Sequence, residues 1–393
     1  MDNRMVDSFA DILARLPAYA ETVRRLDDIL LTNLVMVAEI PSPTFGEHQR
    51  VQWVLDRFNE YRLEHCSTDE GGNALGILPG RTGERNILVV AHLDTPVDEN
   101  LDHTVAIEPG LISGVGLADN SLGAAALVTL PLVLSGLGIE LDSNLVLMGS
   151  TRALGRGDLG GTRFFLNNTD LQVDTGLCLE GVRLGRLSYA SIGMLRGVIH
   201  YRLPDEYDWT RFGAGGAIVS MNDIITRILE IPLPRRPRTA VVFSSIEGGG
   251  PGSKVPTHAE LQLEVRSDSG DIVNDLQRRI TNIATEVAAF AGGEATFEVI
   301  ARRRPGGLEF SHPLPERARD ILTALDLPAR ISPSTAELSA FVDREIPALR
   351  VGLTSAEYLD EEREQLQIAP IAIGITQVVA LLQAIDQGYC RDE

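Results

Sequence analysis

Three cysteines in 393 residues, Cys66, Cys178 and Cys390, are too few for a disulfide framework, and no two stand at a metal-binding spacing. A reducing compartment is the expectation. Positive charge is also short: 35 Lys and Arg against 55 Asp and Glu leave a formal charge of −20. Neutralising phosphate takes clustered cations, so neither nucleic acid nor an anionic lipid surface is an expected partner. Solubility is the simplest use of the acidic excess. Long apolar runs are missing too. The longest, Leu122–Leu137, contains Gly123, Pro131 and Ser135 and falls short of the ~18–20 residues of a spanning helix. The first residues, Met1-Asp-Asn-Arg, carry charge but no apolar segment of a signal peptide. The expectation is a cytoplasmic protein.

What is present is patterned as an α/β chain. Ile12, Leu16, Ile29, Leu34 and Val37 predict helix over residues 8–38, ended by Ile40-Pro-Ser-Pro. Residues 47–61 predict another helix. Asn86-Ile-Leu-Val-Val-Ala91, Asn144-Leu-Val-Leu-Met148 and Gly176-Leu-Cys-Leu179 are short apolar runs of the kind buried parallel strands show, each followed by a polar, Gly-containing loop. Strands alternating with helices predict a mostly parallel sheet sandwiched by helices. After about Gly193 the texture changes to strand, helix, strand, helix, strand, with clean period-two alternation over residues 259–266. The first texture returns after Arg304, with helix at 315–325, strand at 348–353 and helix at 371–385. The expected organisation is one discontinuous domain, 1–193 with 303–393, interrupted by a smaller α+β insert at 194–302.

Ligands of parallel sheets bind at the carboxyl ends of the strands. His92 and Asp94 follow the first strand, Asp119 sits in Gly116-Leu-Ala-Asp-Asn-Ser-Leu-Gly123, and Glu180 ends the third. One imidazole and two carboxylates make a three-ligand zinc set of His92, Asp119 and Glu180, with Asp94 orienting the imidazole. Taken singly, each has a plainer role: a satisfied polar residue, a helix N-cap, a solvated acid.

Ala91-His-Leu-Asp-Thr95, Gly116-Leu-Ala-Asp-Asn-Ser-Leu-Gly123 and Gly155-Arg-Gly-Asp-Leu-Gly160 resemble motifs of the zinc exopeptidase and deacylase family of peptidase T, glutamate carboxypeptidase, aminoacylase and acetylornithine deacetylase. The likeness runs over most of the chain in family order, through Ile40-Pro-Ser-Pro, Leu179-Glu-Gly181, the strand ending in Arg266, and Ile346-Pro-Ala-Leu. It implies a di-zinc hydrolase with a lid-like insert that also mediates a homodimer. It places one metal on His92, Asp119 and Glu180. The family's adjacent glutamates, a general base and a ligand of the second metal, fall on Ala153 and Leu154. Its C-terminal histidine ligand falls near Glu357, and the last histidine of this chain is His312. A degraded Ser-Thr-Asp-Ala-Asn motif puts Glu337 and Ser339 at its Asp and Asn positions. The lid histidine is replaced by Asp208-Trp-Thr-Arg-Phe-Gly213, and His200 lies too early to serve.

The losses sort by metal: the ligands of one survive, while those of the other and the base have changed. The implied cofactor is therefore at most one zinc per chain. The implied function is a zinc-peptidase-like protein with a degraded di-metal site, in a ligand-binding or accessory role toward a small carboxylate-bearing molecule or peptide. The alternative is an active single-zinc amide hydrolase in which Glu337, Glu357 or Asp158 replaces the base. Arg152 and Arg156, beside the lost acidic pair, disfavour a second cation and are candidates to grip a carboxylate, as is Arg266. The Gly248-Gly-Gly-Pro-Gly252 run lacks the Lys-Ser/Thr of a phosphate loop and reads as a turn.

Overall fold

The computed structural model describes residues 8–204, 215–249, 255–359 and 363–392. The chain divides into two compact units, residues 1–191 with 307–393, and residues 192–306.

The first unit opens with α1 (Phe9–Arg24), α2 (Asp27–Ala38) and α3 (His48–Glu60). A capping box starts α1: the Ser8 hydroxyl accepts from the Asp11 amide at 3.2 Å, and the Ser8 amide donates to Asp11 Oδ2 at 2.8 Å. The single helix expected over 8–38 is two, because Leu26 leaves helical geometry (φ −102°, ψ 4°). The apolar spacing continues across the break because buried residues of both helices join one core. There follow β1 (Glu64–Thr68), β2 (Ala74–Leu78), β3 (Asn86–His92), β4 (Ala106–Glu108), β5 (Leu111–Gly114), α4 (Leu122–Leu137), β6 (Asn144–Ser150), α5 (Gly160–Asn168), β7 (Thr175–Val182) and β8 (Arg186–Ser188).

The second unit contains β9 (Gly193–Arg202), α6 (Gly216–Leu229), β10 (Thr239–Gly248), β11 (His258–Ser267), α7 (Gly270–Phe290) and β12 (Glu294–Arg303). Its sheet has the order β10-β11-β9-β12, antiparallel throughout. Leu195, Ile199 and Tyr201 of β9 pack with Met221 and Ile224 of α6 and Ile280 of α7 in a core of its own. The unit begins at 192 and ends at 306 rather than at 194 and 302, because β9 starts at Gly193 and β12 runs on to Arg303. Strand β10 was not expected. On the wet side of this sheet His200 lies between Glu260 and Glu298, at 3.0 Å from each. Gly248 ends β10, and the rest of the expected turn, 250–252, lies outside the described residues, as does Asp208–Gly213.

The first unit resumes with α8 (Pro313–Ala324), capped by His312, then β13 (Arg330–Ile331), α9 (Leu338–Asp343), β14 (Ala348–Thr354), β15 (Ala356–Leu359), β16 (Glu364–Gln367) and α10 (Ile371–Asp386). Its main sheet has the order β1-β2-β6-β3-β7-β14-β8-β13. The four central strands β6, β3, β7 and β14 run parallel. Period two divides their side chains. Ile87, Val89, Ala91, Leu177 and Leu179 join a core with α1, α2, α4 and α10. Leu88, Val90, Met148 and Cys178 join one with α5 and α9. Burial on both faces is why these strands read as unbroken apolar runs. Residues 117–137 form a 21-residue segment long and apolar enough to cross a membrane, longer than the run expected from 122–137. It is mostly buried, as the core helix α4. A second small sheet, β15-β16-β5-β4, was not foreseen. All three cysteines are free thiols.

Candidate metal centre and its buried ion pair

Strands β3 and β7 pair in parallel from Ile87↔Thr175 to Val90↔Cys178. His92 is two residues past Val90 and Glu180 two past Cys178, so period two puts both side chains on the same face at the carboxyl ends. The 116–121 turn delivers the third residue. Gly116 takes φ +63°, and Asn120 anchors the turn to β7 by donating to the Leu179 carbonyl at 2.8 Å and accepting the Gly181 amide at 2.9 Å. Gly181 is required at this crossing, since a Cβ there would lie 2.5 Å from the Ala118 carbonyl oxygen. Asp119 thereby faces His92, its Oδ1 2.9 Å from Nε2.

The ring of His92 is buried and fixed. Its Nδ1 lies 2.8 Å from the main-chain oxygen of Asp94, so Nδ1 carries a proton and Nε2 is the atom offered to the site. The expected orienting role of Asp94 is thus carried by its carbonyl, with the carboxylate 3.5 Å away. That carboxylate accepts instead from the amides of Ala153 (3.1 Å) and Leu154 (2.9 Å) and the hydroxyl of Thr44 (2.8 Å). The His92 nitrogen and single oxygens of Asp119 and Glu180 all lie within 4.8 Å of one another. One nitrogen and two oxygens at that separation fit one divalent cation of the zinc type.

Glu180 is not alone. Arg350, in the middle of β14, sits opposite Cys178 in the parallel register and reaches Glu180 Oε1 with Nε at 2.8 Å and Nη2 at 2.7 Å. Both side chains are nearly sealed from water, 16 % and 4 % exposed. Glu337, at the start of α9, is buried as well, and its Oε1 has no hydrogen-bond partner among the described residues. Arg50, fully buried, donates to the carbonyls of Ile40 (2.9 Å) and Leu93 (3.3 Å). Burial pulls its guanidinium down to about 9 against the opposing charge of Asp94.

These groups set one another's protonation. Burial alone would lower the His92 imidazole, but Glu337 and the hydrogen bonds to Asp119 and Asp94 outweigh it and hold it well above its usual value. Desolvation pushes Asp119 up, and the imidazole pulls it further down, so it stays ionised. Burial pushes the Glu180 carboxyl up against the pull of Arg350. Burial would lower Arg350, and Glu180 and Glu337 overcome it. Four carboxylates (Asp94, Asp119, Glu180, Glu337) face two guanidiniums and one imidazole, an excess of negative charge that a cation relieves. Metal binding here would displace the His92 proton.

The remaining expected residues fall elsewhere. Ala153 is buried against the core of Leu88 and Val90, with Leu154 packed on the same cluster. Glu357 is exposed on β15, where it accepts from Gln367 at 3.2 Å. Asp158 is held by Arg163 at 2.6 Å. Arg152 points its Nη2 at the Gly71 carbonyl, 2.7 Å away, while its amide donates to Glu47. Arg156 is exposed on the turn after Leu154. Arg266 pairs with Glu264, which also binds Arg196 at 2.7 Å. Sequence reasoning missed Arg350, Arg50 and Glu364. The signal for Arg350 was a charged residue inside the apolar run Ala348-Leu-Arg-Val-Gly-Leu353, since an arginine is buried only when paired.

No protein-family model matches the sequence, and no curated protein matches it. Solved structures do match the fold. A tripeptidase of Staphylococcus aureus is 18 % identical with a TM-score of 0.72, over 92 % of this chain and 98 % of that one. The di-peptidase Dug1p of Saccharomyces cerevisiae is 12 % identical with a TM-score of 0.77, over 95 % and 99 %. A dinuclear metal-binding peptidase of Bacillus subtilis is 14 % identical with a TM-score of 0.64, over 92 % and 99 %. At such identities the likeness is one of architecture. Strand order, helical layers and the His92–Asp119–Glu180 cluster together give this chain the fold of the zinc exopeptidases and deacylases.

Proposed function

We propose that this protein binds one divalent cation, zinc by donor chemistry, together with a small carboxylate-bearing molecule or peptide. Its role is ligand binding or accessory, without the peptide hydrolysis of the proteins whose fold it shares, and its setting is cytoplasmic. His92, Asp119 and Glu180 would hold the cation. When bound, it supplies a Lewis acid for a carbonyl or carboxylate oxygen of the ligand. The observation that carries the reading is the segment 153–154. It offers Asp94 two main-chain amides, and its side chains, a methyl and an isobutyl group, can neither take a proton nor bind metal.

The experiment is metal content per chain, followed by assay of the zinc-loaded protein with dipeptides, tripeptides and N-acyl amino acids. One zinc, lost in His92→Ala, with no turnover is expected. Turnover of any of these substrates overturns the reading.

A second reading is favoured by Glu337. Its support is a buried carboxylate that acts on the His92 imidazole through its charge and has one oxygen with no hydrogen-bond partner among the described residues, a candidate for the relocated base of a single-metal amide hydrolase. Turnover that falls ~10²-fold or more in Glu337→Gln would establish it.

The second unit supports association of two copies. Strand β10 ends its sheet, with one edge unpaired among the described residues. Val242 and Ile246 on it, with Ile218 and Val219 of α6, are about half exposed.

A further inference from the structure

The centre of the cluster holds a positive charge the protein itself supplies. Arg350 is rooted in the buried strand β14, between Leu349 and Val351, which are fully covered. Its register opposite Cys178 puts it diagonally across from Glu180 on one face of the sheet, and Glu337 comes from α9 packed on that face. Both nitrogens of its fork that touch Glu180 converge on a single oxygen, Oε1. A guanidinium stays charged at every physiological pH and cannot move far from a root buried in a strand. Glu180, one of the three donors available to a metal, is therefore already engaged by a cation.

We infer that Arg350 is a resident counter-cation of this site: it balances Glu180 and Glu337 in the metal-free protein and holds down the affinity for a divalent ion. The inference rests on the single-cation reading above and deepens it. Two consequences follow from charge alone. A divalent ion bound by Glu180 would lie close to a fixed positive charge in a water-poor site, so like charges repel across a short, weakly screened gap. The oxygen that Arg350 occupies is also a poorer donor, because it already accepts a charge-assisted hydrogen bond from Nε and lies 2.7 Å from Nη2. The same guanidinium offsets part of the carboxylate charge when no metal is present, so the fold is expected to persist without one.

The test is zinc titration by calorimetry, with native mass spectrometry for stoichiometry, on wild type and Arg350→Met, a variant of similar length without the charge. Tighter binding by about tenfold or more in the variant, still at one zinc per chain, is expected. Equal or weaker binding, or binding to neither protein, overturns the inference. In the same series the melting temperature of wild type is compared before and after EDTA treatment. Retention to within about 3 °C is expected, and a larger loss overturns the inference, since it would mean that a metal and not Arg350 compensates the cluster. That measurement decides the matter where Arg350→Met fails to fold. A wild type that hydrolyses peptides would overturn the non-hydrolytic reading and leave these binding comparisons standing.

Discussion

Glu364 shows how a single buried acid can register the state of its neighbours. Its Oε2 accepts the Ala118 amide at 2.6 Å, next to Asp119 in the same turn. Burial pushes its carboxyl up to about 7, Asp119 adds to the rise, and the Ala118 and Leu117 amides oppose it. A carboxyl raised on folding stabilises the fold below its unfolded value, near 4.5, and that contribution is lost as pH climbs through about 7. Glu364→Gln keeps an acceptor for the amide and removes the titration. Between pH 5 and pH 8, urea denaturation should show wild type losing up to about 3 kcal/mol relative to this variant. A constant difference would mean that Glu364 titrates normally. At this scale His92 and Glu180 were legible because each follows an apolar run at a strand end, and Asp119 because it sits in the Gly116–Gly123 motif. Arg350 was not assigned, because its partner is fixed by the register of β14 on β7 and lies 170 residues away in sequence. Arg152 misled for the converse reason: a loop arginine beside the cluster in sequence turns its fork to the Gly71 carbonyl.

Helix α9 has six residues, yet it positions Glu337, the residue at its N-terminus. Phe341 anchors it. The ring is fully buried, so close to β7 that a Cβ at Gly176 would lie 2.3 Å from it. Phe341→Ala should cost about 3–5 kcal/mol in urea denaturation, with the cavity lying beneath the helix that carries Glu337. A loss below about 1 kcal/mol would show that α9 is held by other contacts. Most elements were legible at this scale: β3, α3 and α10 lie within a residue of where apolar periodicity predicts them, and β7 starts within one residue and runs on to Val182. The failures have local causes. The kink at Leu26 leaves the apolar spacing intact, so 8–38 looked continuous. Strand β10 is an edge strand with intermediate and exposed residues alternating, a weaker signal than a fully buried run.

As a whole, the chain consists of two units with separate cores, each large enough to have left its own texture in the sequence. The proposed dimer would form on the edge of β10, which is unpaired among the described residues. Light scattering behind size exclusion should give twice the chain mass for wild type, and the monomer mass for Val242→Lys combined with Ile246→Lys. A wild-type mass of one chain would remove the dimer. In the same unit the burial of His200 alone would lower its pKa, but Glu298 and Glu260 raise it above the usual value. An imidazole raised on folding stabilises below its unfolded value near 6.5, and the effect fades as pH rises through the folded value. Proton NMR of wild type against His200→Gln should identify one imidazole titrating above the usual range. Its absence would show that the two carboxylates leave the ring unperturbed.

The sequence by itself determined the layers and the division into two units, because burial on one or both faces of an element writes its period into neighbouring residues. It also determined that His92 and Glu180 lie at the carboxyl ends of their strands, and hence that this nitrogen and this carboxylate share one edge of the sheet. Only the tertiary structure decided what those groups are paired with: Glu180 with Arg350, Asp94 with the amides of 153–154, Asp158 with Arg163. Strand register and loop path set these pairings. An ion pair is made by any two opposite charges brought within reach, so residue identity alone does not choose among them.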